Sequence, residues 1–145
     1  MDQQQNYANH KQIVPVVHYF FVPLGLILII TAIVYAVISI MHGEQIFASL
    51  LILVLAFISA LSIPLARGFV LKVQDRLIRT EEDVRHFKLT GEWLDQRLTI
   101  KQIIALRFAS DQEFPALCER AVKENLTPTA IKKAIKDWKG DYYRV

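Results

Sequence analysis

Two long apolar runs, separated by four residues, constrain this chain more than any other feature. Neither Val14 to Met41 nor Ile46 to Ala66 contains an Asp, Glu, Lys or Arg. A helix of roughly 20 apolar residues crosses a bilayer, so each run is long enough to span, about 17–40 for the first and 46–66 for the second. A secretory signal would carry an apolar core of only ~7–15 residues behind a positive segment. The first run is about twice that and has no clear cleavage site, so it is expected to be permanent. Pro15 and Pro23 confine helix irregularity to its start, where a missing N–H costs least.

The link His-Gly-Glu-Gln at 42–45 is too short for anything but an antiparallel hairpin. Both chain ends then lie on one side. Arg67, Lys72, Arg76 and Arg79 follow the second run directly, Lys11 precedes the first, and the link has no Lys or Arg. The positive-inside rule therefore puts both termini in the cytoplasm. Residues 1–13 form a polar cytoplasmic segment, 14–66 a transmembrane hairpin, and 67–145 a cytoplasmic helical domain. The fold class is all-α.

Residues 67–144 hold 16 Lys+Arg and 12 Asp+Glu, a balance of +4. This mixed, mild charge suits a surface beside anionic lipid. It lacks the clustered basic stripe of a nucleic-acid binder. The one cysteine, Cys118, excludes an intrachain disulfide and a Cys-rich metal site; its apolar setting in the sequence makes it a buried small hydrophobe.

Small residues mark the faces on which helices meet in lipid. Gly25, Ala32, Ala36 and Ser39 share a stripe on the first span, and Ala56, Ser59 and Ala66 share one on the second. These stripes serve packing inside one hairpin or association between hairpins. Beyond the second span no clear break occurs before Gly91, so a long juxtamembrane helix is expected to run on for ~35 Å at ~1.5 Å per residue. Pro64 is a possible kink. Val70, Val73, Leu77, Thr80, Val84 and Phe87 recur at steps of 3, 4, 3, 4 and 3, a heptad seam of about two and a half repeats. The seam could pair two copies or receive the chain's own later helices.

Three short helices follow. Thr99 and Gln102 form a capping box with Leu98 and Ile103 as the hydrophobic staple around it, starting a helix over about 100–109. Ser110 and Glu113 form a second box before Phe114, Leu117, Cys118, Ala121 and Val122, with Pro115 either disturbing its first turn or making Asp111 the cap instead. Thr127, Pro128 and the Leu126–Ile131 staple start a third helix, expected to put Ile131, Ala134, Ile135 and Trp138 on one face and to end at Gly140. Between Thr90 and Arg97, Trp93 and Leu94 are candidate anchors on the core or the bilayer surface.

Candidate chemistry is sparse. His18 lies one heptad before Gly25, on the face toward the second span, where an ionisable residue is a functional candidate. It can be a neutral histidine bonded to Ser62 or to a backbone carbonyl, or it can serve a lipid, quinone, proton or haem. Haem would call for a second axial histidine. His42 is at the other membrane face, leaving His10 or a second copy. Tyr7 and His10 stand in the polar N-terminal segment, where they serve capping or interfacial contacts or a binding role. Asp111 and Glu113 beside Arg107 suit a helix start tied by an ion pair, since a separation of two does not place both acids on one helix face. No nucleophile triad, phosphate loop or HExxH motif is present, and no cofactor is assigned.

The segment QNYANH at 5–10 before an apolar hairpin, together with LRFASDQEFPAL at 106–117, resembles a family of small bacterial two-span membrane proteins of unknown function. The resemblance covers nearly the whole chain. It implies a bacterial cytoplasmic-membrane location and the same layout, and carries no assigned activity. The sequence thus points to a membrane-anchored interaction or assembly module, with the bilayer, a second copy, or another membrane or cytoplasmic protein as partner. The alternatives are a haem-, quinone- or lipid-binding subunit using His18, and an oligomeric channel or transporter.

Overall fold

The computed structural model describes residues 5–7, 9 and 14–142. Its regular elements are helical: a π-helical turn at Val16–Phe21, then α1 (Val22–His42), α2 (Ile46–Thr90), α3 (Ile100–Leu106), α4 (Phe114–Lys123) and α5 (Pro128–Ala134). Among the described residues the sole β pairing is an isolated antiparallel bridge between Ala109 and Trp138. The chain divides into two compact units, Gln12–Val70 and Met1–Lys11 with Leu71–Val145. The 45-residue α2 contributes to both.

In the first unit, two helices are long and apolar enough to cross a membrane. The π-helical turn has a local cause. Pro23 brings no N–H, and its ring crowds the carbonyl four residues earlier; the helix widens just before it, with Val22 N–H donating to the carbonyl of Val17, five residues back. The turn between α1 and α2 is held by backbone geometry. Gly43 takes a left-handed φ of +70°, and Glu44 N–H donates to the Ser39 carbonyl at 3.1 Å, a Schellman-type closure. Tyr35 Oη donates to Gln45 Oε1 at 2.6 Å. Burial is confined to small residues: Ala32, Ala36 and Ser39 on α1, Ser49 and Ala56 on α2. A methyl group placed on Gly25 would sit 3.4 Å from the Ala60 side chain, so the backbones approach closely there. α2 continues through Pro64 without interruption.

The second unit has a core of ordinary composition. Ile78 of α2 joins Leu94, Leu98, Ile103, Leu106, Phe108, Phe114, Leu117, Ala121, Ile131 and Ile135. The Thr99–Gln102 capping box forms in full, and Gln102 Nε2 also donates to the Leu126 carbonyl at 2.9 Å, tying α3 to the α4–α5 loop. Thr127 caps α5 by accepting from Ala130 N–H.

Three local expectations are corrected. α3 stops at Leu106 rather than about 109, because residues 108–110 pair with 137–139: Ser110 N–H donates to Asp137 O at 3.1 Å and Lys139 N–H to Phe108 O at 2.8 Å. For the same reason α5 ends at Ala134, with Ile135 extended, and does not reach Gly140. Trp138 still packs on Phe108, ring centroids 5.2 Å apart. The Ser110–Glu113 box does not form. α4 starts without a side-chain cap, and the Glu113 carboxylate instead accepts from the backbone N–H groups of Lys136 and Asp137, both at 3.2 Å. Tertiary hydrogen bonds here outweigh local helix propensity.

Candidate functional site

The densest polar cluster in the second unit centres on Arg85, on the face of α2 that carries Ile78. Its guanidinium donates to Asp111 Oδ1 (2.7 Å), Glu82 Oε2 (2.9 Å) and the Ala109 carbonyl (2.7 Å), and lies 4.3 Å from the Phe114 ring centre. The rigid fork of arginine suits such simultaneous bonding. Burial pushes the Glu82 carboxyl above its ordinary range, against the lowering effect of the Arg85 hydrogen bond. That same guanidinium holds Asp111 below the usual carboxylate range. Burial, with the nearby Glu82 carboxylate, pushes the Cys118 thiol up to about 12, so the thiol is unreactive in the folded unit.

The expected partner of Asp111 and Glu113 was Arg107. Instead Arg107 Nε lies 3.0 Å from Asp141 Oδ2, Asp111 pairs with Arg85, and Glu113 caps backbone. Arg85 and Glu82 are not among the residues the sequence singles out; their i, i+3 spacing beside Ile78 is the available signal, weaker than the heptad seam on the other side of the helix. The cluster flanks an open cavity of about 510 Å³ bordered by Glu81, Lys88, Lys139 and Tyr142. Its bonds serve packing: they fasten the 107–111 segment to α2.

The heptad residues present a different surface. Val73 is 67% exposed and Leu77 56%, and Val84 and Phe87 are exposed as well, whereas Ile78 is 6% exposed. α3–α5 therefore pack on the side of α2 bearing Ile78, Glu82 and Arg85, and leave the seam open. Trp93 stacks on Phe87, centroids 4.6 Å apart and rings within 19° of parallel, extending the apolar strip beyond the helix end at Gly91. Leu94 turns inward instead, its N–H donating to Asp83 Oδ1 at 2.9 Å. Val70, the first residue of the series, is exposed in the other unit.

In that other unit, a largely apolar groove of about 560 Å³ runs past Val17, His18, Gly25, Ser59, Ala60 and Arg67. His18 is exposed and bonds the Val14 carbonyl through Nδ1 at 2.9 Å. The Ser62 hydroxyl donates to its own helix at Ile58 O, so of the two expected partners the backbone carbonyl is the one used. Donation from Nδ1 leaves Nε2 with the lone pair in a neutral ring. His42 is 24 residues further along, ~36 Å at the helical rise, and cannot share a ligand with His18 in one copy. His10 lies outside the described residues. Tyr7 is exposed, with Lys133 Nζ 5.7 Å from its ring centre. Its neighbour Gln5 clasps the backbone of Asp141, accepting from its N–H at 2.9 Å and donating to its carbonyl at 3.3 Å. No group of three or more His, Cys, Asp or Glu among the described residues could hold a metal ion.

The chain belongs to a Family of unknown function (DUF6526), whose model matches residues 1–145. No curated protein and no solved structure matches it. Family membership assigns no activity.

Proposed function

We propose that this member of the family is a membrane-anchored helical assembly module, held in a bacterial cytoplasmic membrane by the α1–α2 hairpin with both ends in the cytoplasm. The observation that carries this is the pattern of exposure. In the first unit Leu26, Ile30, Phe47, Leu55, Ile58 and their neighbours face outward, while the buried residues are Ala32, Ala36, Ser39, Ser49 and Ala56. That arrangement suits a hydrocarbon surrounding and is strongly unfavourable in water, where so much contiguous apolar surface associates. The positive charges after Ala66 support the orientation. The Gln5–Asp141 clasp also supports it, since it joins the segment before α1 to the C-terminal unit. The second unit then offers the seam and Trp93 as an unoccupied contact surface.

Alkaline extraction of membranes followed by protease treatment from each side tests this. The protein should stay in the membrane fraction and the C-terminal unit should be cut only from the cytoplasmic side. Release into the supernatant, or a C-terminus cut from outside, would overturn the anchoring.

A second reading rests on the groove. His18 and Arg67 flank an apolar channel of a size that fits an acyl chain, and lipid, quinone or haem are the candidate occupants. An absorption spectrum of protein purified in a lipid-preserving environment tests the haem case, and mass spectrometry of the intact complex tests the other two.

A further inference from the structure

We infer that the exposed seam of α2 pairs with the same seam of a second copy, parallel and in register; the inference rests on the membrane-anchored reading. The positions follow from the heptad. Leu77 and Val84 occupy a, and Val73, Thr80 and Phe87 occupy d. Arg76 and Asp83 then occupy g, and Glu81 and Lys88 occupy e.

In a parallel two-stranded coil, each g residue faces the e residue of the following heptad on the partner. Arg76 meets Glu81 of the second copy, and Asp83 meets Lys88 of the second copy. Both pairs have opposite charge, and two-fold symmetry doubles them. Within one chain, Arg76, Glu81 and Lys88 make no ion pair with another described residue. Asp83 uses Oδ1 on Leu94 N–H, leaving Oδ2 for a partner. The chain's own core packs through Ile78, Glu82 and Arg85, at positions b, f and b, away from the a/d seam. The second copy therefore meets a face exposed from Val73 to Val84, with the chain's own Trp93 stacked on Phe87 at its end, and bordered by charges that match its own.

Orientation and length also fit. An antiparallel pair would set Arg76 against Asp83 and so satisfies charge in part, but two helices leaving the same membrane face run the same way. A seam of about two and a half heptads is marginal for free helices in water. Confinement to a membrane raises effective concentration and removes most of that deficit.

The test uses the full chain in membranes, with Cys118→Ala removing the native thiol. A Thr80→Cys variant, on the seam, should form interchain disulfides far faster than an Arg79→Cys variant at neighbouring position c. Charge then tests register. Arg76→Glu sets acid against Glu81, and Glu81→Lys sets base against Arg76. Each should weaken self-crosslinking through Thr80→Cys by roughly tenfold, from two pairs per dimer turned from attraction to repulsion. Differently tagged copies of the two variants, mixed, should crosslink to each other at the parent level, which also shows that both fold. Equal crosslinking at 79 and 80, or no preference for the mixed pair, overturns the parallel register. If alkaline extraction retains the protein but Thr80→Cys gives no crosslink, the seam pairing fails while the anchoring stands. Extraction into the supernatant removes the anchoring, and with it the basis of the parallel orientation.

Discussion

The two units bury opposite kinds of residue. In Gln12–Val70 the buried side chains are Ala32, Ala36, Ser39, Ser49 and Ala56, and the large aliphatics are outside. In the second unit Phe108, Phe114, Ile103, Leu106 and Ile131 are fully buried, and Lys, Glu and Asp are mostly outside. The contrast fits the proposed placement of the first unit in a membrane and of the second in water. Against hydrocarbon, transferring leucine from solvent to protein gains little, so close backbone packing decides which residues go inside. Against water, burial of large apolar area drives the fold. One helix, α2, takes part in both regimes, and its sequence switches from uniform apolarity to periodic charge at Arg67.

The largest effect should come from the water-facing core. Phe114→Ala removes a ring that carries both the packing of α4 and the contact with Arg85, and should cost about 3–5 kcal/mol. Outward-facing Leu55→Ala in the first unit should leave stability in detergent or lipid nearly unchanged. Denaturant unfolding followed by the reactivity of buried Cys118 reads the first, and thermal unfolding in lipid reads the second. Comparable losses at both positions would erase the distinction between the units.

Arg85→Ala should come next, at about 3 kcal/mol, because Glu82 is left as a buried charge without its partner. Arg85→Lys should recover only part of this, since an ammonium cannot bond Glu82, Asp111 and the Ala109 carbonyl in the same geometry. Faster labelling of Cys118 under native conditions would report the loosened unit. Full recovery by lysine would show that charge alone matters there.

A smaller effect is expected in the first unit from adding volume rather than removing it. Ala36→Leu places a large side chain where α1 and α2 bury only small ones and should cost about 1–3 kcal/mol. Its neighbour Val37, exposed, should accept leucine freely. Protease susceptibility of the hairpin in lipid measures both, and an equal tolerance at 36 and 37 would contradict close packing through the small-residue stripe.

Much of the helical layout was readable in advance because its signals are local. The apolar runs, the Gly43 turn, and the caps at Thr99 and Thr127 depend on neighbours within a few residues. Ala32, Ala36 and Ala56 of the small-residue stripes are buried as the rule for close helix packing predicts, whereas Ser59 and Ala66, placed on the second stripe by the same rule, are exposed. What the sequence did not show was decided by distant partners. Trp138 lies on the helical period of Ile131 and Ile135, yet residues 137–139 pair with 108–110 and the helix ends early. Arg107 and Asp111 are close in sequence but bond to Asp141 and Arg85, far away in it. The heptad seam was visible, but which side of α2 the core would occupy was not, because Leu71, Ile78 and Leu89 mark that side less densely than the seam marks its own. His18 was legible as a histidine in an apolar run with a backbone carbonyl or Ser62 as partner, and the carbonyl is the one it bonds.

The smallest effect distinguishes two carboxylates on the same arginine, and it concerns pH. Asp111 is held below its ordinary value of 3.8 by the Arg85 hydrogen bond. Its contribution to stability is complete above that value and is lost as pH falls through the lower folded-state value. Glu82 is displaced the other way, above 4.5, because burial outweighs Arg85. The folded unit therefore binds that proton more tightly than the unfolded chain does, and Glu82 favours folding more as pH falls through its raised value. The two windows lie on opposite sides of about pH 4, so they can be separated. Relative to the parent, Glu82→Gln should gain stability as pH rises from 4.5 toward neutrality, while Asp111→Asn should show its full deficit throughout that range and recover only in stronger acid. Denaturant midpoints of both variants between pH 3 and 7 measure this. A flat Glu82→Gln difference above pH 4.5 would mean that Arg85 compensates the burial of Glu82 completely, making the two carboxylates equivalent partners of one guanidinium.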